Sequence, residues 1–326
     1  MSLSAEYLRR ESAKTGFRPE ILEKVIRLLD LLEAIRRHPY LKSRVVLKGG
    51  TALNLFIFDV PRLSVDIDLN FIGTQGRDAM LAERKPFEQA LQAVAGRLGL
   101  KLERAPTAHA GGKWLLRYES ALGQGGTLEL DVNYMFRVPL WPVESRDSRE
   151  VGNRQARGIP IVDVHELAGG KLAALFSRRA GRDLFDAHYL LTRQNLDVKK
   201  LRLAFVLYGA MNRRDWRTVS VEDVGADPDE IRAQLAPVVS RQVLAPYRST
   251  ADWVNGLVDE CREALSSVLP LLETEQEFLE RLLDHGEIRP DLLDVDEAMN
   301  ERIRGHPSLL WKARNAPDSV ESRGSH

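Results

Sequence analysis

Between Arg44 and Ile72 the chain reads as a strand, a Gly-Gly-Thr turn, a short helix and a second strand bearing two aspartates. The stretch runs Val45-Val46-Leu47-Lys48-Gly49-Gly50-Thr51-Ala52-Leu53-Asn54-Leu55, then Pro61-Arg62-Leu63-Ser64-Val65-Asp66-Ile67-Asp68-Leu69-Asn70-Phe71. Side chains alternate along a strand, so Asp66 and Asp68 share one face while Val65, Ile67 and Leu69 take the buried one. Two adjacent carboxylates repel each other unless a cation lies between them, and hard oxygen ligands of this kind suit Mg²⁺ (or Mn²⁺). Upstream, Gly49 and Gly50 free the backbone to approach a phosphate. Thr51 is expected to open a helix whose first N–H groups face that anion.

Each half of this pattern is common by itself, as an ordinary turn or as an isolated Asp-x-Asp. Together, in strand–turn–helix–strand order, they are the layout expected of a metal-dependent nucleotidyl transfer site. Composition admits this. The chain has 326 residues, enough for two domains, with 44% hydrophobic and 29% charged content in the range of soluble globular proteins. Lys plus Arg and Asp plus Glu balance at 47 each, which argues against a surface that coats nucleic acid everywhere and leaves room for local patches. The single Cys261 excludes an internal disulfide framework and fits a reducing cytoplasm. The N-terminal residues lack the apolar core of a signal peptide, and the longest apolar run, Leu203 to Met211, is too short to span a bilayer. The expected location is the cytoplasm.

Residues 1–42 are expected to be helical, with Ile21, Val25, Leu28, Leu29, Leu32 and Ile35 forming an apolar stripe behind Pro19. A second amphipathic helix is expected over 78–98, stopped by Gly99. Three strands follow at Leu100–Arg104, Lys113–Glu119 and Thr127–Tyr134. In the last of these Glu129, Asp131 and Asn133 face away from Leu128, Leu130 and Val132. Asp131 becomes a third metal carboxylate if this strand lies beside Asp66 and Asp68; otherwise the strand is an edge with its polar face in water. Residues 135–160 hold three prolines and no clean periodicity, and read as a connection. The expected division is 1–150, a transferase-like domain with its N-terminal helix, and 151–326, a helical lobe completing an active-site cleft.

That lobe opens on a helix starting at Asp163, where Glu166 three residues on has the form of a capping box. It runs Leu167-Ala168-Gly169-Gly170-Lys171-Leu172-Ala173, and the two glycines cost roughly 1 kcal/mol each against alanine in a helix interior. That cost is more easily tolerated where a backbone or ligand passes close. Next come Arg182-Asp183-Leu184-Phe185-Asp186-Ala187-His188-Tyr189. Further helices are expected at 228–244, 251–268 and 274–284, and the closing Arg-Gly-Ser-His reads as a disordered tail.

The stretch Leu-Lys-Gly-Gly-Thr-Ala-Leu with Arg-x-Ser-x-Asp-Ile-Asp-Leu resembles the AbiEii/MenT family of nucleotidyltransferase-like toxins, the toxin half of type IV toxin–antitoxin systems. Residues 163–191 resemble the family again, in a Glu-x-x-x-x-Lys pattern followed by Arg-Asp-x-x-Asp. The resemblance implies an α/β fold: a nucleotidyltransferase-like mixed sheet of four to six strands with flanking helices, plus a mainly helical C-terminal lobe. It implies NTP as substrate, tRNA or other RNA as acceptor at its 3′ end with translation blocked, and a cognate antitoxin as partner. On this reading Asp66 and Asp68 are catalytic and, with Asp131, hold the metal. Lys48, Gly49, Gly50, Thr51, Arg62 and Ser64 bind the nucleotide. Lys171 binds triphosphate oxygens or offsets charge on the leaving pyrophosphate and Asp186 is the second block's functional acid, while Arg182 and Asp183 form a structural ion pair or helix cap and His188 caps or packs. Read without the resemblance, Lys171 is a surface lysine. Phosphorylation of Ser64 would set a dianion against the metal carboxylates.

From Lys171 to Arg217 there are eleven Lys/Arg and four acids, a net of +7 (11 − 4), with Tyr189, Tyr208 and Trp216 interspersed. Such a segment is either an RNA-binding face or a set of solvated helix faces. From Leu271 to Glu301 eleven acids stand against two arginines, a net of −9 (2 − 11). This stretch confines RNA, binds a basic partner or balances the basic segment. Two other functions remain open. One is nucleotidyl transfer to a small molecule or protein side chain. The other is a non-enzymatic RNA- or partner-binding module, whose mark would be lost carboxylates.

Overall fold

Strands with one apolar and one polar face can bury a shared layer only by aligning, and here they align into a single mixed sheet. The computed structural model describes residues 3–106, 110–123 and 125–317, so the closing Arg-Gly-Ser-His lies outside the described residues. The strands are β1 (Val45–Lys48), β2 (Asp66–Phe71), β3 (Lys101–Arg104), β4 (Gly111–Glu119), β5 (Gly125–Asn133), β6 (Glu144–Arg146) and β7 (Ile159–Ile161), in the order β3-β4-β5-β2-β1-β7-β6. The pairs β2–β5 and β1–β7 are parallel and the others antiparallel. Seven strands exceed the four to six expected. The extra pair, β6 and β7, consists of three-residue strands within the stretch that shows no periodicity.

The chain divides into two units. The first comprises Met1–Arg137, Pro142–Val162 and Ala233–Arg248; the second comprises Val138–Trp141, Asp163–Arg232 and Ser249–His326. In the first unit the N-terminal stretch is two helices, α1 (Ala5–Thr15) and α2 (Pro19–Arg37), because Gly16 adopts a left-handed φ of 76° between them. The α2 stripe at Val25, Leu28, Leu29, Leu32 and Ile35 is buried, as its spacing predicts, whereas Ile21 stays half-buried and Leu22 is buried in its stead. After β1 come a four-residue helix α3 (Gly49–Ala52) and a π-helical turn (Leu53–Ile57). Helix α4 (Arg77–Arg97) ends at Leu98, just before Gly99. Residues 233–248 return to this unit: Leu63 N donates to the Val238 carbonyl and Ser240 N to that of Pro61.

In the second unit, helices α5 (Val164–Arg178), α6 (Gly181–Arg193) and α7 (Val198–Ala210) pack together. Phe176, Phe205 and Trp216 are in edge or tilted contact, 4.9 to 5.9 Å between ring centroids. A Cβ on Gly169 would lie 2.7 Å from the Ala204 carbonyl oxygen. The glycine is therefore needed for the close approach of another backbone, that of α7. The expected helix over 228–244 is instead broken into short turns at Pro228–Glu230, Ile231–Leu235, Ala236–Val238 and Arg241–Leu244, with Pro237 removing one donor. The helices Thr250–Ala264 and Glu273–Leu283 fall where expected. Among the described residues no helix is long and apolar enough to cross a membrane.

The capping box at Asp163 does not form. Asp163 accepts from His165 N at 2.8 Å, but Glu166 turns inward. Its Oε2 accepts from Leu140 N at 2.9 Å and Trp141 N at 3.3 Å, and its Oε1 from the Tyr208 hydroxyl at 3.0 Å. Glu166 thus ties the segment Val138–Trp141 and helix α7 to α5. Burial pushes its carboxyl up to about 7, against the pull of these donors. A raised carboxyl binds its proton more tightly in the folded chain. Its contribution to stability is therefore full below the unfolded value near 4.5 and declines as pH rises toward about 7. Glu166→Gln should remove a slope of up to about 1.4 kcal/mol per pH unit in that window. Urea unfolding at pH 5, 6 and 7 would show it; parallel wild-type and variant profiles would mean the carboxyl titrates normally.

Candidate active site

The candidate site in the first unit is built on register. Pairing of β2 with β1 and β5 sets Asp68 opposite Lys48 on one side and Asp131 on the other. Asp66 lies opposite Glu129 in the same parallel ladder. Paired residues point to the same side of a sheet, so the expected neighbour relation of Asp131 to the Asp-x-Asp strand is present in the fold. All three aspartates are half-buried. Burial and then the charge of Asp68 push the Asp131 carboxyl above its ordinary value, with Lys48 and Lys113 pulling it down. That repulsion is what a bound cation would relieve.

The turn before this face is made by Gly49, with a φ of 72°. A Cβ there would lie 2.1 Å from Asp68 Oδ2, so the backbone touches the carboxylate where no side chain fits. The helix opens at Gly49 and not at Thr51. Thr51 is fully buried and its hydroxyl donates to the Asp66 carbonyl, pinning the start of β2. The Gly50 carbonyl accepts from Asn54 Nδ2 at 2.9 Å. Lys48 is half-exposed, with Nζ 5.6 Å from the ring centroid of Phe136.

Arg62 and Ser64 do not stand on the strand with the aspartates, because β2 begins at Asp66. Arg62 is 2% exposed, bridges Val239 and donates to the Leu63 carbonyl at 3.2 Å. Ser64 is 7% exposed, so a kinase would need the segment to open before reaching its hydroxyl.

The donor set suits a hard divalent ion, and the charge strain on Asp131 fits one. Among the described residues, however, no three His, Cys, Asp or Glu side chains gather closely enough to form a complete cage. Mg²⁺ rarely needs such a cage, since one or two carboxylates, waters and substrate phosphates complete its shell. The open arrangement of Asp66, Asp68 and Asp131 is compatible with that mode.

In the second unit Lys171, Asp183 and Asp186 form a buried cluster on α5 and α6. Lys171 Nζ lies 3.0 Å from Asp183 Oδ1 and 2.9 Å from Asp186 Oδ2. Lys171 is 9% exposed and Asp186 fully buried, so Lys171 is no surface lysine. Asp183 also accepts from Arg178 Nε and Nη2, each at 3.0 Å. Asp183 is thus held by Lys171 and Arg178, both on the preceding helix, where the sequence suggested a structural ion pair with Arg182 or a helix cap. His188 packs as expected, 2.7 Å from Glu260 through Nε2.

The basic segment is largely spoken for. Arg179 and Arg214 pair with Asp223, Arg202 with Glu275, Arg217 with Asp215 and Asp284, and Lys199 with Asp294. Three of these acids belong to the acidic stretch 271–301, so balancing the basic segment is something that stretch demonstrably does. Sequence reasoning missed Asp183 as a partner of Lys171, and Lys113 beside the aspartates. The alternation along β4 was a usable signal for Lys113, but only once β4 was known to pair with β5.

Gly49→Ala should lower the unfolding free energy by about 1–3 kcal/mol through backbone strain alone, before the collision with Asp68 is added. A urea midpoint equal to wild type would contradict this turn geometry. Lys171→Ala removes the buried ammonium that lies between two buried carboxylates and should cost about 3–5 kcal/mol, read by the same titration. An unchanged midpoint would mean that the cluster is open to water.

Two comparisons bear on this geometry. The structure is similar to MenT4, described as nucleotidyltransferase toxin Rv2826c from Mycobacterium tuberculosis H37Rv, with a TM-score of 0.63 and 17% identity. The match covers 95% of this chain and 99% of that one, and at this identity it speaks for the fold. No curated protein sequence shows a significant match. The profile of the family described as "Nucleotidyl transferase AbiEii toxin, Type IV TA system" matches residues 30–311, most of the chain. With its seven-stranded mixed sheet and its aspartates set beside the Gly49 turn, the chain belongs to the AbiEii family of nucleotidyltransferase toxins of type IV toxin–antitoxin systems.

Proposed function

We propose that the chain transfers a nucleotide from an NTP to RNA, at the 3′ acceptor end of tRNA, and so blocks translation. The observation that carries the reading is the register of Asp68 against Asp131, with Asp66 one step along and Lys48 at the flank. In the reaction a bond forms between an acceptor hydroxyl oxygen and the α-phosphorus. The bond from that phosphorus to the bridging oxygen breaks, pyrophosphate leaves and the hydroxyl proton is released.

Asp66, Asp68 and Asp131 would hold Mg²⁺ (or Mn²⁺), which when bound neutralises phosphate charge and makes the acceptor hydroxyl more acidic. Lys48 contributes a cation at the turn, and Gly49 and Gly50 leave room for phosphate oxygens beside it. Thr51 acts on Asp66 through the backbone, as a positioning residue. The family resemblance gives Lys171 and Asp186 a part in the same chemistry. Their cluster supports, for Lys171, an ammonium held in one place by two carboxylates. The tRNA acceptor, the cytoplasmic setting and a neutralising antitoxin rest on the resemblance.

One observation favours a second reading. Several cations of the +7 segment are committed to intramolecular ion pairs, which removes much of the argument for an RNA face there. Transfer to a protein side chain or a small molecule needs no such face.

The purified protein with Mg²⁺, total tRNA and each of four α-³²P-labelled NTPs separates the readings. Label should enter tRNA with one or two NTPs and be absent with Asp66→Ala. Lys48→Ala should retain turnover at saturation while raising KM for NTP. Label in protein or in a small molecule selects the second reading, and label nowhere refutes transfer.

A further inference from the structure

Four charged residues stand in one row across four strands. Lys113 on β4 is paired with Asp131 on β5, Asp131 with Asp68 on β2, and Asp68 with Lys48 on β1. Paired residues share a face, so the row reads cation, carboxylate, carboxylate, cation. At about 4.8 Å per strand interval, roughly 14 Å separates the backbones of the two lysines, with both carboxylates between them. Trp114, Leu116 and Tyr118 bury the other face of β4, which leaves Lys113 exposed on the face of the aspartates.

Lys113 is at present engaged with a neighbour. Its Nζ lies 2.7 Å from Glu129 Oε2, and the two side chains are 57% and 39% exposed. An ion pair so open to water is weakly held and exchanges easily for a better anion. That hydrogen bond and the charge of Glu129, with smaller help from Asp66 and Asp131, hold the Lys113 ammonium above the usual lysine range against the effect of burial. The lysine therefore senses the same carboxylates as Lys48, from the opposite side.

In-line phosphoryl transfer places the attacking and leaving oxygens on opposite sides of the α-phosphorus. Lys48, at the Gly49 turn, marks the triphosphate end of the row. We propose that Lys113 marks the acceptor end and binds a backbone phosphate of the acceptor RNA, releasing Glu129 to do so. This rests on the transferase reading above and deepens it. The acceptor is then a polyanion that crosses the site beside β4, whatever becomes of the basic segment in the other unit.

The test is total tRNA binding by fluorescence anisotropy over a range of salt, beside steady-state incorporation of the labelled NTP. Lys113→Ala should weaken tRNA binding severalfold and reduce the salt slope by about one. KM for tRNA should rise while KM for NTP stays near wild type. Lys113→Arg should restore binding, and Glu129→Gln should tighten it by freeing the lysine. Unchanged tRNA affinity and slope in Lys113→Ala would reduce the residue to a surface ion pair and overturn the proposal. A rise in KM for NTP alone would assign Lys113 to the triphosphate and overturn it equally. Wild-type protein that binds tRNA but incorporates no label defeats the transferase reading, while the anisotropy series still decides on Lys113. Wild-type protein that binds no tRNA defeats the proposal outright.

Discussion

A methyl group on Gly49 would overlap an oxygen of Asp68, and this close approach of backbone to carboxylate sets the geometry of the site around it. The turn reverses the chain at the end of β1 and leaves Lys48 paired in register with Asp68. Thr51, two residues on, reaches the Asp66 carbonyl and fixes where β2 begins. The left-handed turn at Gly49 and one hydroxyl thus tie together two strands that are separated by a helical turn and an irregular connection. The glycine turn and the carboxylates are one structural object.

Charge is arranged on two scales. On the sheet, like charges are adjacent: Asp68 and Asp131 face each other across a parallel pair, and burial first, then this repulsion, raise the affinity of Asp131 for its proton. Elsewhere opposite charges are matched over long sequence distances, as in Arg202 with Glu275 and Arg217 with Asp284. The zero net charge of the chain reflects that matching. At the aspartates like charges stand side by side between Lys48 and Lys113, an arrangement that suits a divalent ion.

Burial gives the second unit's polar residues their character. Lys171, Asp183 and Asp186 are removed from water, and each needs the others, because an isolated buried charge is far more costly than a paired one. Glu166 shows the other solution. It accepts three hydrogen bonds from uncharged donors, and burial favours its protonated form. Both arrangements immobilise α5, the helix that carries Lys171.

Periodicities are local, and what depends on them was legible in the sequence: the shared face of Asp66 and Asp68, the apolar stripe of α2 and the end of α4 before Gly99. Family membership followed from two short motifs of the same kind. The three-residue strands β6 and β7 left no periodic trace, being too short to show one. Which strands become neighbours, and in what register, depends on chain closure over tens of residues, so the row from Lys113 to Lys48 belongs to the tertiary structure alone. The same is true of Arg62, which the sequence reading assigns to the nucleotide and the fold buries against Val239. It holds for Lys171 and Glu166 as well, because a side chain's partners are chosen by packing between helices. Sequence alone determined which chemistry the residues could support; the fold decided which of them meet, because hydrogen bonds and ion pairs act only between groups that packing brings within a few ångströms.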